Sequence, residues 1–174
     1  MSTRKAIWIL FVSLAISACV LGSAIQAGAE TLKYKSYTYA VKQENLFVGD
    51  EEGHLLYSYE RRGFYAFENG EVATLLQVGT GEEVKGGASI LYYQTATFPD
   101  DSTIMSRVQG TLGGGVPGNP ATGGFKQEII KGTGRFEGIK GTASGKNKFL
   151  PLEKGEPGVK GFGEGAYEYT LPSK

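Results

Sequence analysis

Glycine spacing in residues 132–143 is the feature that most constrains the fold of this chain. Glycines stand at Gly132, Gly134, Gly138 and Gly141, and Phe136 is the one aromatic residue among them. Each glycine inside a helix costs about 1 kcal/mol relative to alanine, so a helix is a poor structure for this segment. A bent strand pair uses glycine well, because glycine accepts positive φ and a close backbone approach. The segment therefore predicts a curved β architecture.

Strand and turn patterns continue through most of the chain. The alternation of residues 55–67, followed by Asn69-Gly70, predicts a hairpin whose return strand covers residues 72–78. Further strands are predicted at residues 33–41, 88–98, 103–112, 134–149 and 160–171, with turns at glycines 79, 81, 86 and 87 and a loop over residues 113–124. Residues 125–131 fit a strand or one helical turn. Seven or eight consecutive strands predict a single closed antiparallel barrel, eight-stranded if all form, or a sandwich, and the barrel is preferred because it removes edge strands.

The first 29 residues have the pattern of a signal peptide. Arg4 and Lys5 precede an apolar run over residues 6–21, and Ala27-Gly28-Ala29 fits the small-residue cleavage rule. We therefore expect a secreted or periplasmic bacterial protein whose single barrel domain is residues 30–174. Ile16-Ser17-Ala18-Cys19 offers an alternative, since it resembles a lipobox, and lipidation of Cys19 would anchor the protein to a membrane.

Composition excludes several classes of function. Loss of Arg4 and Lys5 leaves a small acidic excess, which gives no support for a nucleic-acid partner. His54 is the only histidine, so a histidine-based metal site or catalytic triad is not expected. Gly132, Gly134 and Gly138 do not have the spacing of a dinucleotide-binding loop, so no cofactor is expected. No metal is expected either, since the acidic residues cluster in predicted turns without calcium-loop spacing: Asp50, Glu51, Glu52, Asp100 and Asp101.

Residues 132–141 resemble the signature of the allene oxide cyclase and dirigent barrel superfamily, Gly-Gly-[Ser/Thr]-Gly-x-Phe-x-Gly-x-x-Gly, with Lys131 in the first glycine position. The strand at 103–112, the Phe149-Leu150-Pro151 step and the closing strand at 167–171 are also similar, so the resemblance extends over residues 100–171. It implies an eight-stranded antiparallel barrel in which Phe136 plugs the interior. The cyclases use a Glu and an Asn near the first strand. Glu44 and Asn45 follow that strand here but are not assigned to inward positions, so the resemblance implies the fold and not the activity.

Strand tyrosines are the candidate ligand-binding residues. Inward tyrosines of a small barrel line an apolar cavity and offer hydroxyl groups to a ligand, whereas outward ones pack a ring and keep the hydroxyl wet. Arg61, Arg62 and Arg107 lie in or beside strands, and an inward arginine would need Glu60, Glu128 or an anionic ligand as its partner. The candidate set is Tyr37, Tyr39, Tyr57, Tyr59, Tyr92 and Arg107.

Three functions are compatible with these patterns. The preferred hypothesis is an exported barrel that binds a small apolar or aromatic ligand without catalysis. The second is an isomerase or cyclase that steers a hydrophobic reactive intermediate, and an inward carboxylate or arginine would favour it. The third is a non-catalytic interaction or structural module, which would form a homo-oligomer through its outer face.

Overall fold

Long strands account for most of the residues that the structure describes. The structure is a computed structural model, and it describes residues 28–113 and 120–173. Inward positions of each strand alternate with outward ones, as expected for a wall with one face toward a core. The elements are β1 (Glu30–Phe47), β2 (Leu55–Phe67), β3 (Val72–Val84), β4 (Gly87–Thr97), β5 (Thr103–Gly113), β6 (Ala121–Thr133), a 3-10 turn (Gly134–Phe136), β7 (Lys140–Phe149) and β8 (Gly161–Thr170).

Strand pairing closes the sheet into a barrel. Each strand pairs antiparallel with the next one in sequence, and β8 returns to pair with β1 from Glu30↔Tyr169 to Thr38↔Gly161. The predicted closed eight-stranded antiparallel barrel is therefore confirmed, and the sandwich alternative is wrong. The long β1 also pairs with β2 over most of its length, with a bulge between Ala40 and Lys42.

The two ends of the barrel differ in how they are filled. The β2–β3, β4–β5 and β6–β7 connections lie at one end, called here the closed end. Phe136 enters the interior there, is 5% exposed, and packs against Phe98 with ring centroids 4.7 Å apart. Phe98 in turn stacks on Phe67 at 5.4 Å. The β1–β2 and β3–β4 turns and the β7–β8 loop lie at the other end, the open end.

The glycine signature forms a tight turn and not the start of a strand. Gly134 and Gly138 have φ of 61° and 75°, a left-handed backbone that suits glycine. A side chain at Gly134 would collide with Ser102, and one at Gly132 would collide with the Phe136 carbonyl. The strand predicted from residue 134 is therefore wrong over its first residues, and β7 begins at Lys140. The implied role of Phe136 as an interior plug agrees with its burial.

Other strand boundaries also differ from the sequence prediction, and β1 covers Glu30–Phe47 where a strand at residues 33–41 was predicted. β3 continues through Gly79 and Gly81 to Val84, where a turn was predicted, and both glycines occupy inward positions close to a tyrosine of a neighbouring strand. β6 begins at Ala121, inside the predicted loop, and residues 125–131 belong to it as strand. In both places glycine serves close packing across the wall, which the sequence alone does not distinguish from a turn.

Some predictions concern residues outside the described part. The predicted signal peptide lies there except for Gly28 and Ala29, and so do Cys19 and residues 114–119 of the predicted loop. Within the described residues, no helix has both the length and the apolar character needed to cross a bilayer. The same residues hold no cluster of three or more His, Cys, Asp or Glu side chains suited to a metal ion.

Candidate functional site

A layer of buried amide and hydroxyl groups crosses the barrel interior above the closed-end core. Gln94 donates from Nε2 to the Tyr65 hydroxyl at 2.6 Å, and Gln127 donates to the Tyr167 hydroxyl at 2.6 Å. Gln77 joins by donating to Gln94 Oε1 at 3.2 Å. Buried amides and hydroxyls are costly unless they are paired, so these bonds hold each side chain in one orientation. The layer forms a polar floor, and no sequence pattern had singled out its three glutamines.

A cavity of about 30 Å³ lies between this polar floor and the open end. We call it the open-end cavity. Tyr57, Leu112 and Asn147 line it and are only half-buried, so the cavity reaches solvent through them. Aromatic and polar side chains share its walls: Tyr57, Tyr59, Arg61, Gln77, Tyr92, Phe125, Asn147 and Phe149.

Glycines opposite two tyrosines shape the upper wall. A Cβ at Gly79 would overlap Tyr92, and a Cβ at Gly81 would overlap the ring of Tyr57. The Tyr57 ring therefore lies directly on the bare backbone of β3 at Gly81, and the Cβ of Tyr92 lies close to the backbone at Gly79. Local sequence thus positions both tyrosines, because alternation points them inward and glycine on the neighbouring strand leaves room for the Tyr57 ring and for the Cβ of Tyr92.

Arg61 is the charged side chain of this cavity. It is 8% exposed, and among residues 28–113 and 120–173 it is the one buried side chain with a formal charge. Its guanidinium carbon lies 4.5 Å from the ring centroid of Phe149 and 5.0 Å from that of Tyr59, within cation–π range. Burial lowers the pKa of the Arg61 guanidinium, although an arginine keeps its charge at neutral pH.

Tyrosine hydroxyls around Arg61 stay neutral. Burial is the main cause that raises the pKa of Tyr59, and it also raises the pKa of Tyr92 and Tyr57. Arg61 opposes the increase at all three because its positive charge favours a tyrosinate, but desolvation outweighs it. The cavity therefore offers one cation, neutral hydroxyl groups and aromatic faces.

The structure divides the predicted site residues into two groups. Tyr57, Tyr59 and Tyr92 line the open-end cavity together. Tyr37 and Tyr39 do not line the interior: they are 36% and 51% exposed, and Tyr37 stacks on the outer Phe64 with centroids 5.1 Å apart. Their alternation is as predicted, but it presents them to the outside because Ser36, Thr38 and Ala40 occupy the inward face.

Arg107 also faces outward, and this corrects its assignment to the cavity. Its neighbours Ser106 and Val108 are fully buried, so the period of the strand places Arg107 on the outer wall, opposite Tyr93 and Glu128 in register. Arg61 is the inward arginine instead. The signal was in β2, since Arg61 continues the alternation of Tyr57 and Tyr59.

Four residues considered from the sequence lie outside the cavity. They are the possible arginine partners Glu60 and Glu128, and Glu44 and Asn45 near the end of the first predicted strand. Glu60 accepts a hydrogen bond from Arg62 Nε at 3.1 Å on the outer side of β2, and Glu128 is exposed on β6. Glu44 is exposed and pairs with Lys42 at 2.8 Å, and Asn45 is exposed as well. The bulge after Ala40 precedes both. None of the four contributes to the open-end cavity.

Comparison with known proteins gives one structural likeness to report. No family model and no curated protein matches this chain. Among solved structures, a pterocarpan synthase dirigent protein aligns with a TM-score of 0.46 and 10% sequence identity, over 83% of this chain and 92% of that chain. The barrel assignment here depends on the strand pairing of the chain itself, and membership of the allene oxide cyclase and dirigent superfamily remains a prediction.

Proposed function

We propose that this protein binds a small ligand at the open end of its barrel. One observation carries the proposal: the closed end is filled by aromatic side chains, whereas the open-end cavity reaches solvent and is lined by rings and unpaired polar atoms. Arg61 Nε and the Tyr34 hydroxyl are buried without a protein partner among the described residues. Concave aromatic walls with a few convergent polar groups are typical of ligand sites.

Cavity size determines which part of a ligand enters. One water molecule needs about 10–15 Å³ of cavity volume and a drug-sized ligand about 300–1,000 Å³, so a cavity of about 30 Å³ receives a head group of a few atoms and not a whole ligand. The remainder of the ligand would lie across the mouth, on Tyr57 and Leu112. This narrows the sequence-based hypothesis of an apolar ligand enclosed in the barrel to one held by its head group.

A ligand-observed NMR screen of small aromatic and aliphatic compounds tests the proposal. Ile90→Phe adds volume to the cavity wall. Compounds that bind the wild type should therefore lose most of their saturation-transfer signal with this variant. Leu91→Phe, on the outward position of the same strand, is the matched control and should retain it. The proposal fails if no compound binds the folded wild type, or if Ile90→Phe, shown to be folded by circular dichroism, binds as well as the control.

Export belongs to the same proposal. The basic residues Arg4 and Lys5, the apolar run and Ala27-Gly28-Ala29 support cleavage after Ala29, which would release the barrel outside the cytoplasm. Intact mass of the protein purified from its host distinguishes the two processing routes. Cleavage after Ala29 gives an unmodified chain that begins at Glu30, and lipidation gives an acylated chain that begins at Cys19.

A second candidate, isomerisation or cyclisation of a hydrophobic intermediate, is favoured by the position of Arg61. A cation beside neutral hydroxyls in a desolvated cavity stabilises negative charge that develops on a reacting oxygen. An enzyme of this kind would convert a bound compound to an isomer of the same mass. Chiral chromatography of the screened compounds after incubation tests it, and recovery of every compound unchanged and without stereochemical enrichment would reject catalysis while leaving binding intact.

A further inference from the structure

Arg61 is held between two rings, and its buried Nε–H is unused within the described part of the chain. The guanidinium lies between the rings of Tyr59 and Phe149, which fix its plane without accepting a hydrogen bond in that plane. Nε is buried and has no hydrogen-bond partner among the described residues. A guanidinium has five N–H donors in a fork that matches two oxygen atoms of one planar group. The side chain is therefore preorganised toward an acceptor that the described part of the chain does not supply.

Its positive charge also has no counterion among the residues that the structure describes. No carboxylate in residues 28–113 and 120–173 forms an ion pair with Arg61, and the nearest acid along its own strand, Glu60, bonds to the outer Arg62. Tyr57, Tyr59 and Tyr92 surround it as neutral hydroxyls. An uncompensated buried charge is costly, whereas a buried charge that is paired and hydrogen-bonded is tolerated. A guest with a negative charge would remove this cost on binding.

We propose that Arg61 recognises the carboxylate head group of a small organic acid, an assignment that rests on the ligand-binding function proposed above. The carboxylate would accept two parallel N–H bonds from the guanidinium, the strongest geometry for this pair. The cavity of about 30 Å³ admits a group of this size, and Asn147 on the same wall adds an amide. A phosphate dianion would need further cations, and Arg61 is the one buried cation of the described interior.

The body of the acid is aromatic or aliphatic. Tyr57, Leu112 and Phe125 line the way from Arg61 to the mouth and present rings and methyl groups. Burial of a ring or an alkyl chain against this apolar surface favours binding, whereas burial of a second charged group would oppose it. The ligand class is thus a monocarboxylate with an apolar tail.

Two acids and their neutral amides provide the test: benzoate against benzamide, and hexanoate against hexanamide. Each pair has the same shape, so the difference in affinity isolates the charge. Charge-assisted hydrogen bonds are worth about 1.5–3 kcal/mol, so each acid should bind roughly 10- to 150-fold more tightly than its amide. The acid should also move the Arg61 Nε–H resonance downfield in a ¹H–¹⁵N spectrum of the wild type, because Nε–H then gains an acceptor.

Substitutions distinguish recognition by the Arg61 guanidinium from general attraction by positive charge. Arg61→Met keeps the length and removes the fork, so it should bind acid and amide with equal weak affinity. Arg107→Met removes an outward arginine and should retain the wild-type preference. If Arg61→Met does not fold, Arg61→Lys replaces it, and this variant should keep part of the preference because it keeps the charge without the bidentate geometry.

The outcomes distinguish this inference from the proposed function. If acids and amides bind the wild type equally and Arg61→Met changes neither, the inference is overturned and the ligand-binding function stands. If inorganic phosphate displaces benzoate at equal concentration, Arg61 reads charge alone, and the organic-acid class is overturned. If neither acid nor amide binds and the fragment screen also finds no ligand, the proposed function fails together with the inference.

Discussion

At the scale of single residues, buried polar groups decide the character of the barrel interior. Gln94 and Gln127 each donate to a tyrosine hydroxyl at 2.6 Å, whereas Arg61 Nε has no such partner in the described residues. Satisfied groups stabilise one arrangement of the core, and an unsatisfied one marks a place where a guest can bind. The described interior thus holds polar groups that are paired within the protein and, in Arg61 Nε, a group that the proposed ligand would pair.

Tyr167→Phe should destabilise the protein although it removes a single oxygen atom. The Tyr167 hydroxyl accepts from Gln127 at 2.6 Å, and its loss leaves the buried Gln127 amide with Ser106 as its remaining partner at 3.0 Å. We expect the free energy of unfolding in urea to fall by about 1–3 kcal/mol. Tyr93→Phe, at an exposed tyrosine, should change it by less than about 0.5 kcal/mol. Equal losses in the two variants would contradict the importance of the layer.

At the scale of elements, turns and strand registers set where each side chain points. The glycine signature has two requirements at Gly134: a left-handed backbone with φ of 61°, and no side chain beside Ser102. Ser102 Oγ accepts a hydrogen bond from the Arg135 amide at 3.1 Å, which ties the β4–β5 turn to the 3-10 turn. Backbone conformation and packing at the closed end are thus coupled at one residue.

Gly134→Ala and Gly49→Ala separate these two requirements. Gly49 has φ of 86° with open space around it, so its substitution introduces only backbone strain, of about 1–2 kcal/mol. Gly134→Ala adds the collision with Ser102 and should cost more. Urea unfolding measures both variants, and a loss at Gly134 no greater than that at Gly49 would rule out the packing role.

His54 joins the β1–β2 turn to β3 in a pH-dependent way. Its Nε2 lies 3.0 Å from Glu82 Oε1 and its Nδ1 lies 2.6 Å from Asp50 Oδ1. The hydrogen bond to Glu82, then that to Asp50, raises the pKa of His54. The stabilisation is therefore complete below the unfolded-state pKa of about 6.5 and is lost as pH rises through the higher folded-state pKa.

A titration of the His54 imidazole by NMR, with thermal unfolding at several pH values, tests this linkage. The imidazole of the folded protein should titrate above pH 6.5, and His54→Gln should remove the decline in melting temperature across that range. Glu82→Gln should lower the His54 pKa. A folded-state pKa at or below 6.5 would show that the two carboxylates do not hold the proton.

Sequence patterns predicted where the strands lie better than they predicted which face of each strand points into the barrel. β2 was predicted to its end residues because Tyr57, Tyr59 and Tyr65 alternate without interruption. The inner face of β1 could not be assigned, because Tyr34 is buried while Tyr37 and Tyr39 are outside, so aromatic content does not distinguish the two faces. The end of β3 was missed since its glycines look like a turn until Tyr57 and Tyr92 on neighbouring strands are seen beside them.

At the scale of the whole molecule, the barrel is completed by the pairing of its first and last strands. Glu30 lies opposite Tyr169, so the chain ends of residues 30–170 meet at the closed end. Tyr169 donates a hydrogen bond to Glu30 at 2.9 Å, and burial, followed by this bond to the carboxylate, raises the pKa of Tyr169 to about 12. Every strand therefore has two neighbours. We expect the stability of the barrel to depend more on this pairing than on the order in which the strands are connected.

A circular permutant tests this closure. Joining residue 170 to residue 30 through a short glycine-serine linker and opening the chain between Asn69 and Gly70 preserves every strand pair, because that turn is exposed. We expect the far-ultraviolet circular dichroism of the barrel and a single cooperative unfolding transition. Opening the chain between Gln94 and Thr95, inside β4, is the control and should prevent folding. A permutant at the turn that unfolds without cooperativity would contradict the model of closure by pairing alone.

The glutamine and tyrosine layer also sets a limit on depth. The proposed ligand would stop at Gln77 and Gln94, since their side-chain amides are hydrogen-bonded to each other and to Tyr65. Arg61 would therefore recognise the head group specifically, whereas most of the tail would remain exposed to solvent. Homologous acids of increasing chain length would share one anchoring position, and the protein would discriminate poorly among their tails. Such a barrel would bind a series of related acids with similar affinity and would not select one member of the series.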